Sequence, residues 1–276
     1  MQAVQDGRIS QEEIDQRIKK ILNAKYWAGL HQKQEVNTHK LVERLSNFGT
    51  KALIEQMYAA SLTVVSNEDE VIPVKHLDLE NMASLTIGRK GETFKKYLSK
   101  YTQFKHFTLR PNFAAMEKNL EGFSTIVVGV MGMSNNSRRN FGLKADEIAF
   151  INRLQEKHKV ITVVFGNAYS SKNFKDQNNL ILAYEENDFT ESIAPQVIFG
   201  GREGSGKLPI SQKDAWPKGH GIETNTLHRL AYSTPEAQGM SSRELMKIDT
   251  IMEKAISGKA TPGGSILVAK NGKVVF

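Results

Sequence analysis

Between residues 48 and 198, short apolar runs alternate with amphipathic stretches at steady intervals, and few architectures accept that order. A helix carrying Ala52, Leu53, Met57 and Ala60 leads into Ser61-Leu-Thr-Val-Val-Ser66. Ala83-Ser-Leu-Thr-Ile87 follows, then a helix starting near Gly91, the run Lys105-His-Phe-Thr108 and a helix opened by Pro111. Ser124-Thr-Ile-Val-Val-Gly-Val130 is almost continuously apolar, as a central parallel strand buried on both faces should be. A helix over 144–157, Val160-Ile-Thr-Val-Val-Phe165, Asn179-Leu-Ile-Leu-Ala183 and a helix over 188–198 complete the series. The alternation predicts an α/β fold: a three-layer αβα sandwich around a mostly parallel, doubly wound sheet.

The flanks follow other rules. Residues 10–28 read as an amphipathic helix with Ile14, Ile18, Ile21 and Leu22 on one face. Ser10 and Glu13 have the spacing of a capping box, and Gly29 is placed as a C-terminal stop. Residues 31–47 are polar and read as a linker running into the next helix. Residues 212–235 lose periodicity around Trp216-Pro-Lys-Gly-His-Gly221 and read as a second linker. Residues 241–257 form another amphipathic helix, with Leu245, Ile248, Ile251, Met252 and Ile256 on one side. Thr261-Pro-Gly-Gly264 turns into Ser265-Ile-Leu-Val-Ala269, and Asn271-Gly272 signals a hairpin. Both flanking helices carry apolar faces that invite partner domains or a second copy of the chain.

In Phe199-Gly-Gly-Arg-Glu-Gly-Ser-Gly-Lys-Leu-Pro-Ile-Ser211, Gly201, Gly206 and Lys207 have the spacing of a phosphate-binding loop. Such a loop needs a metal-binding hydroxyl after the lysine and a helix whose first N–H groups cradle phosphate. Here Leu208 and Pro209 follow, and the residue before a proline is disfavoured in helical dihedrals. The glycines therefore read as joints in an extended exit from the α/β domain. This stretch resembles the closing motif of the C-terminal domain of glycoside hydrolase family 3. Asp6-Gly-Arg-Ile-Ser-Gln-Glu-Glu-Ile-Asp15, continuing to Ile21-Leu-Asn-Ala-Lys-Tyr-Trp-Ala-Gly-Leu30, resembles the last helix of that family's catalytic barrel. Pro235-Glu-Ala-Gln-Gly-Met240 through Phe276 resembles the opening helix and hairpin of serine β-lactamase-like hydrolases.

These resemblances divide the chain into the end of an upstream barrel (1–30), a linker (31–47), a family 3 C-terminal domain (48–211), a linker (212–235) and the start of a β-lactamase-like domain (236–276). What they imply is an accessory domain of a β-N-acetylhexosaminidase, a retaining enzyme acting on N-acetylglucosamine-containing glycans, with peptidoglycan fragments as candidate substrates. Its partners would be the catalytic barrel of the same polypeptide and the carbohydrate. The parent would be exported or periplasmic, although this chain itself leaves the compartment open.

The chemistry of such an enzyme is missing here. The family's nucleophilic aspartate and its Lys-His-x-Pro-Gly-His-Gly motif belong to the barrel, and no serine is followed by Lys at the third position. Glu68, Glu70 and Glu203 match no acid/base motif. No His-Glu-x-x-His or Gly-x-Ser-x-Gly occurs, the seven histidines are scattered, and cysteine is absent. No catalytic residue, metal or cofactor is therefore assigned, and the chain alone is expected to be inactive. The net charge of +7 is spread among acidic residues, so nucleic acid is not an expected partner; Lys95, Lys96, Lys100 and Lys105 lack a recognition motif. No apolar run approaches membrane-spanning length.

In an open doubly wound sheet, ligands meet the loops at the carboxyl ends of the strands. Those loops are Gly88-Arg-Lys-Gly91, Met133-Ser-Asn-Asn-Ser-Arg-Arg-Asn140 and Gly166-Asn-Ala-Tyr-Ser-Ser-Lys172. Arg89, Ser134, Asn135, Asn136, Arg138, Arg139, Asn167 and Tyr169 are the candidates for facing substrate, since their donors suit sugar hydroxyls, acetamido groups and carboxylates. The alternative for Asn and Ser is turn formation. A rival reading is a flavodoxin-like or receiver-like module, with Ser66-Asn-Glu-Asp-Glu70 as a weak acidic cluster. Pro73 and Val74 suggest instead that this segment turns back into a hairpin.

Overall fold

A computed structural model describes residues 2–32 and 35–276, and the chain divides into two compact units at the Ser46–Asn47 bond. The first unit holds α1 (Gln2–Gln5), α2 (Gln11–Trp27) and α3 (Leu41–Leu45). Ser10 caps α2 by accepting the Glu13 N–H at 3.1 Å, and the chain leaves the helix through Gly29 at φ 76°. The Glu13 carboxylate, expected to reach back, accepts instead from Arg17 one turn on, at 2.6 Å. Ile18, Ile21, Leu22, Tyr26 and Trp27 are exposed. Lys33 and Gln34 of the expected first linker lie outside the described residues, as does Met1 of the expected barrel helix.

In the second unit the alternation becomes α4 (Phe48–Ser61), β1 (Thr63–Asn67), β2 (Met82–Ile87), α5 (Glu92–Leu98), β3 (Phe104–Thr108), α6 (Phe113–Leu120), β4 (Thr125–Val130), α7 (Ala145–Leu154), β5 (Lys159–Val164), β6 (Asn179–Leu182) and α8 (Asp188–Ile198). The strands form one sheet in the order β1-β6-β5-β4-β2-β3. Every pairing is parallel except that of β1 with β6, which is antiparallel and bulged between Val64 and Ser66. The mostly parallel αβα sandwich expected from the alternation is thus present. β4 lies inside it with all six residues buried, which is why its sequence lacks polar alternation.

Each face has its own core. Val127, Ile161 and Ile181 pack with Phe94 and Leu98 of α5 and Ile193, Val197 and Ile198 of α8. Ile126, Val128, Val160 and Leu180 pack with Met116 and Leu120 of α6 and Phe150, Ile151 and Leu154 of α7. Each fully buried side chain of this size contributes about 1.5–3 kcal/mol. α8 starts from a capping box in which Asn187 Oδ1 accepts from the Phe189 and Thr190 N–H groups.

Two local expectations differ. Residues 68–81 form no hairpin: Asn67 brackets Ile72, accepting its N–H at 3.0 Å and donating to its carbonyl at 2.8 Å. That side-chain clamp makes a loop where no alternating run exists to form a return strand. The helix over 241–257 divides at Met246 into α9 (Ser242–Leu245) and α10 (Lys247–Ser257).

Residues 204–234 are a strap bonded along the outer edge of β1. Ile222 N–H donates to Val64 O at 2.8 Å, and His220 Nε2 to Val65 O at 2.7 Å. Gly204 and Thr224 bridge one another, and Leu208 N–H donates to His220 O. A polar, glycine-rich segment can do this because its anchors are backbone groups. Arg229 adds a further anchor, donating to the carbonyls of Val74, Lys75 and Phe199 at 2.6–2.9 Å.

The strap ends in β7 (Ala231–Tyr232), held on two sides. On one side a buried ion pair joins Arg202 to Glu55 of α4. The Glu55 carboxylate also accepts from Ser233 Oγ at 2.8 Å and Thr234 N–H at 2.7 Å. Arg202 donates to Tyr232 O and to Gln196 Oε1, which also accepts the Tyr232 N–H. On the other side β7 pairs with β9 (Lys273–Val274), which pairs with β8 (Ala269–Lys270). Asn271 and Gly272 make the β8–β9 turn with φ 52° and 72°, the left-handed pair a tight hairpin requires.

Candidate functional site

Parallel pairing carries the carboxyl ends of β2, β4, β5 and β6 to one edge of the sheet. There a cleft of about 530 Å³ is lined by Arg89, Met133, Asn135, Phe165, Gly166, Asn167, Tyr184, Glu185 and Glu186. At Gly166 the Met133 side chain lies against the backbone, and a Cβ there would meet its Sδ at 2.5 Å and push it aside. Gly88 is obligatory, since its φ of 86° and the Met131 carbonyl exclude any Cβ.

The structure brings three of the eight candidates to this cleft: Arg89, Asn135 and Asn167. Arg89 Nη1 pairs with Glu186 at 3.2 Å, and Glu186 also accepts the Gly132 N–H at 2.6 Å. Asn167 Oδ1 accepts the Tyr169 N–H, while the Tyr169 ring is exposed. Ser134 and Asn136 are engaged within their own loop. Ser134 N–H donates to Phe141 O, and Asn136 Oδ1 accepts from the Arg138 N–H. Asn140 and Phe141 both have positive φ, and the buried Phe141 ring fixes the turn. Arg138 and Arg139 stand exposed on it without an ion-pair partner among the described residues.

Glu185, Glu186, Tyr184 and Tyr58 were absent from the sequence-based candidates. Tyr58 of α4 donates its hydroxyl to Glu185, and that bond, followed by burial, raises its pKa. Burial likewise raises the Tyr184 hydroxyl, which shares a hydrogen bond of 2.7 Å with Thr63 Oγ1. Two carboxylates two residues beyond the short strand Asn179–Leu182 read as a solvated turn, so only their place at the carboxyl edge distinguishes them. Among the described residues no three His, Asp or Glu side chains converge as a metal site.

Two other motifs are now located. Gly206 is wedged against the Ser61 and Leu62 carbonyls, and Lys207 Nζ donates to Gly221 O at 2.8 Å and pairs with Glu223. The glycines around Lys207 are joints of the strap, as the following proline implied. Because β1 runs antiparallel, Glu68–Glu70 lie at the opposite edge from the cleft, where Asp69 accepts from Asn178 and Asn179. That arrangement gives the receiver-like alternative no support.

The fold defines a doubly wound α/β sandwich with an open cleft at its carboxyl edge. No protein-family model matches the chain, and no curated protein matches it. Solved structures do. The chain is similar to a fungal multi-domain family 3 β-N-acetylglucosaminidase described as containing a GCN5-related glucosamine N-acetyltransferase region. That match has a TM-score of 0.51 at 17% identity, covering 95% of this chain and 29% of the other. It is also similar to the β-glucoside phosphorylase BglX (TM-score 0.51, 16% identity, 76% and 40% covered). A third is a β-glucosidase of Erythrobacter marinus (TM-score 0.50, 11% identity, 80% and 41% covered). At these identities the likeness establishes the fold. The chain spans less than half the length of each of these proteins.

Proposed function

We propose that residues 48–211 are the accessory C-terminal α/β domain of a family 3 β-N-acetylhexosaminidase acting on N-acetylglucosamine-containing glycans. The observation that carries this reading is the sandwich itself, which resembles part of a larger multi-domain family 3 β-N-acetylglucosaminidase. The open cleft supports it. Arg89, Asn135 and Asn167 offer donors, and Glu185 and Glu186 offer acceptors, a set suited to ring hydroxyls and an acetamido group. Ser134, Asn136, Arg138, Arg139 and Tyr169 belong to the same two loops as Asn135 and Asn167 and remain candidates for facing substrate, although they do not line the cleft. Residues 2–30 are the closing helix of the upstream barrel that supplies the nucleophile, and residues 236–276 open a serine β-lactamase-like domain.

On this reading the chain binds and positions without cleaving. Retaining hydrolysis requires two groups facing each other across the scissile bond, and the barrel contributes at least the nucleophile. Purified chain is expected to release no nitrophenol from nitrophenyl β-N-acetylglucosaminide above the buffer rate. Sustained turnover by the chain alone would refute the accessory assignment.

A further inference from the structure

β3 ends the six-stranded sheet, and no described residue pairs with its outer side. The Leu109 N–H donates to Thr86 O at 2.8 Å, which sets the alternation of the strand. Lys105 and Phe107 therefore turn their backbone groups toward β2, while Phe104, His106 and Thr108 turn theirs outward. Those outward N–H and C=O groups make no hydrogen bond to described residues. They form a template onto which an extended chain can add as a further strand.

The template is rigid. His106 Nδ1 shares a hydrogen bond of 2.7 Å with Ser84 Oγ, and Nε2 shares one of 2.8 Å with Ser99 Oγ, so the ring is held at both nitrogens. Phe104 lies parallel to that ring at 5.8 Å and edge to face with the buried Phe199 at 6.1 Å. A strand already fixed loses little further freedom when a partner adds to it.

Its surroundings carry one sign of charge. Residues 90–110 hold six lysines and arginines, Lys90, Lys95, Lys96, Lys100, Lys105 and Arg110, against one acidic residue, Glu92. None of the six has an ion-pair partner among the described residues. Lys95 reaches β3 from α5, donating to Thr108 Oγ1 at 3.4 Å, and Lys105 stands on the other face over the Phe107 ring at 5.6 Å. α6 packs on that second face, and its Glu117 is turned to Lys157 at 3.1 Å. Burial, then the Lys95 ammonium, lowers the His106 pKa, so that ring is neutral near pH 7.

We propose that the outer edge of β3 takes up an extended acidic peptide as a further strand, its backbone bonded to Phe104, His106 and Thr108 and its carboxylates beside Lys95 and Lys105. Successive side chains of such a strand point to opposite faces, and each face of β3 offers a lysine. Lysines along an edge discourage apolar strands. An acidic strand satisfies both the bonds and the charges, whereas a second copy of this chain satisfies only the bonds. The edge shares no residue with the lining of the cleft, and the proposal stands independently of the accessory-domain assignment.

The full chain can be titrated at physiological salt with a short fluorescent peptide alternating glutamate and threonine. Saturable anisotropy is expected, and the His106 and Thr108 amides should exchange more slowly in the bound state. Lys95→Glu and Lys105→Glu, both at the surface, should each weaken binding about fivefold or more. The same peptide N-methylated at every residue keeps its charge, loses its strand bonds and should not bind. Asn167→Ala, in the cleft, should leave the affinity unchanged. The proposal is overturned by absence of saturable binding, by affinity indifferent to both lysine reversals, or by equal affinity for the N-methylated peptide or for single-stranded DNA of the same charge. A size-exclusion dimer of the free chain with its β3 amides already protected would overturn it as well.

Discussion

Single atoms decide whether the strap can close. A Cβ on Gly206 would lie 2.2 Å from Ser61 O and 2.4 Å from Leu62 O, both backbone atoms that cannot step aside. Gly206→Ala is expected to cost about 3 kcal/mol or more in urea unfolding. Gly122→Ala, where no heavy atom lies within 4 Å, should stay within about 0.5 kcal/mol. Glu55→Ala would strand the Arg202 guanidinium in a buried site, an expected loss of about 3–5 kcal/mol. Adding Arg202→Met should recover part of that loss. Glu80 answers to pH. Burial alone would raise its carboxyl, but bonds from Lys159, Thr125 and Ser124 outweigh that and hold it below the ordinary range. A depressed folded-state pKa gives stability that is present above the unfolded value and lost as pH falls through the folded one. The gap in Tm between the native chain and Glu80→Gln should therefore narrow in acid. Neither the Glu55–Arg202 pair nor Glu185 could be found from sequence. The first joins residues 147 positions apart, and the second is an acidic residue in a turn until a tyrosine 127 positions away gives it a partner.

Elements that bury a continuous face were legible, and those built from backbone bonds were not. β4 announced itself because both its faces are covered, and the helix over 188–198 was legible as well, whereas the Asn187 capping box that starts it emerged from the structure. Asn187→Ala should cost about 1 kcal/mol in thermal unfolding, as for other N-caps. The strap left no period to read, since Ile222, His220 and Arg229 are spaced by where carbonyls lie on neighbouring segments. Ile222→Pro deletes the N–H that bonds Val64 O. Hydrogen exchange along β1 is expected to quicken, and size-exclusion profiles should show larger species as that edge is uncovered. The expected linker at 212–235 took its length from missing periodicity, and much of it is ordered by these contacts. The division at Met246 shows the same limit, because the apolar stripe of 241–257 continues without interruption from α9 into α10.

For the molecule as a whole, the two cores and the sheet order follow from the alternation of strands and helices, while the cleft follows from how distant loops are brought together. The charge of +7 is distributed over both units, so any shift of nucleic acid in a gel should vanish at physiological salt. Persistence of that shift would point to a built basic surface. The six-stranded sheet has one rim occupied by the strap and one, at β3, with no strand beyond it among the described residues. Through this sheet each molecule is therefore monovalent: two copies could meet at their β3 rims, and neither six-stranded sheet would then have a free rim from which to grow. For the six-stranded sheet the strap acts as a chain terminator against polymerisation, and its displacement would make that sheet divalent and able to add copies without limit.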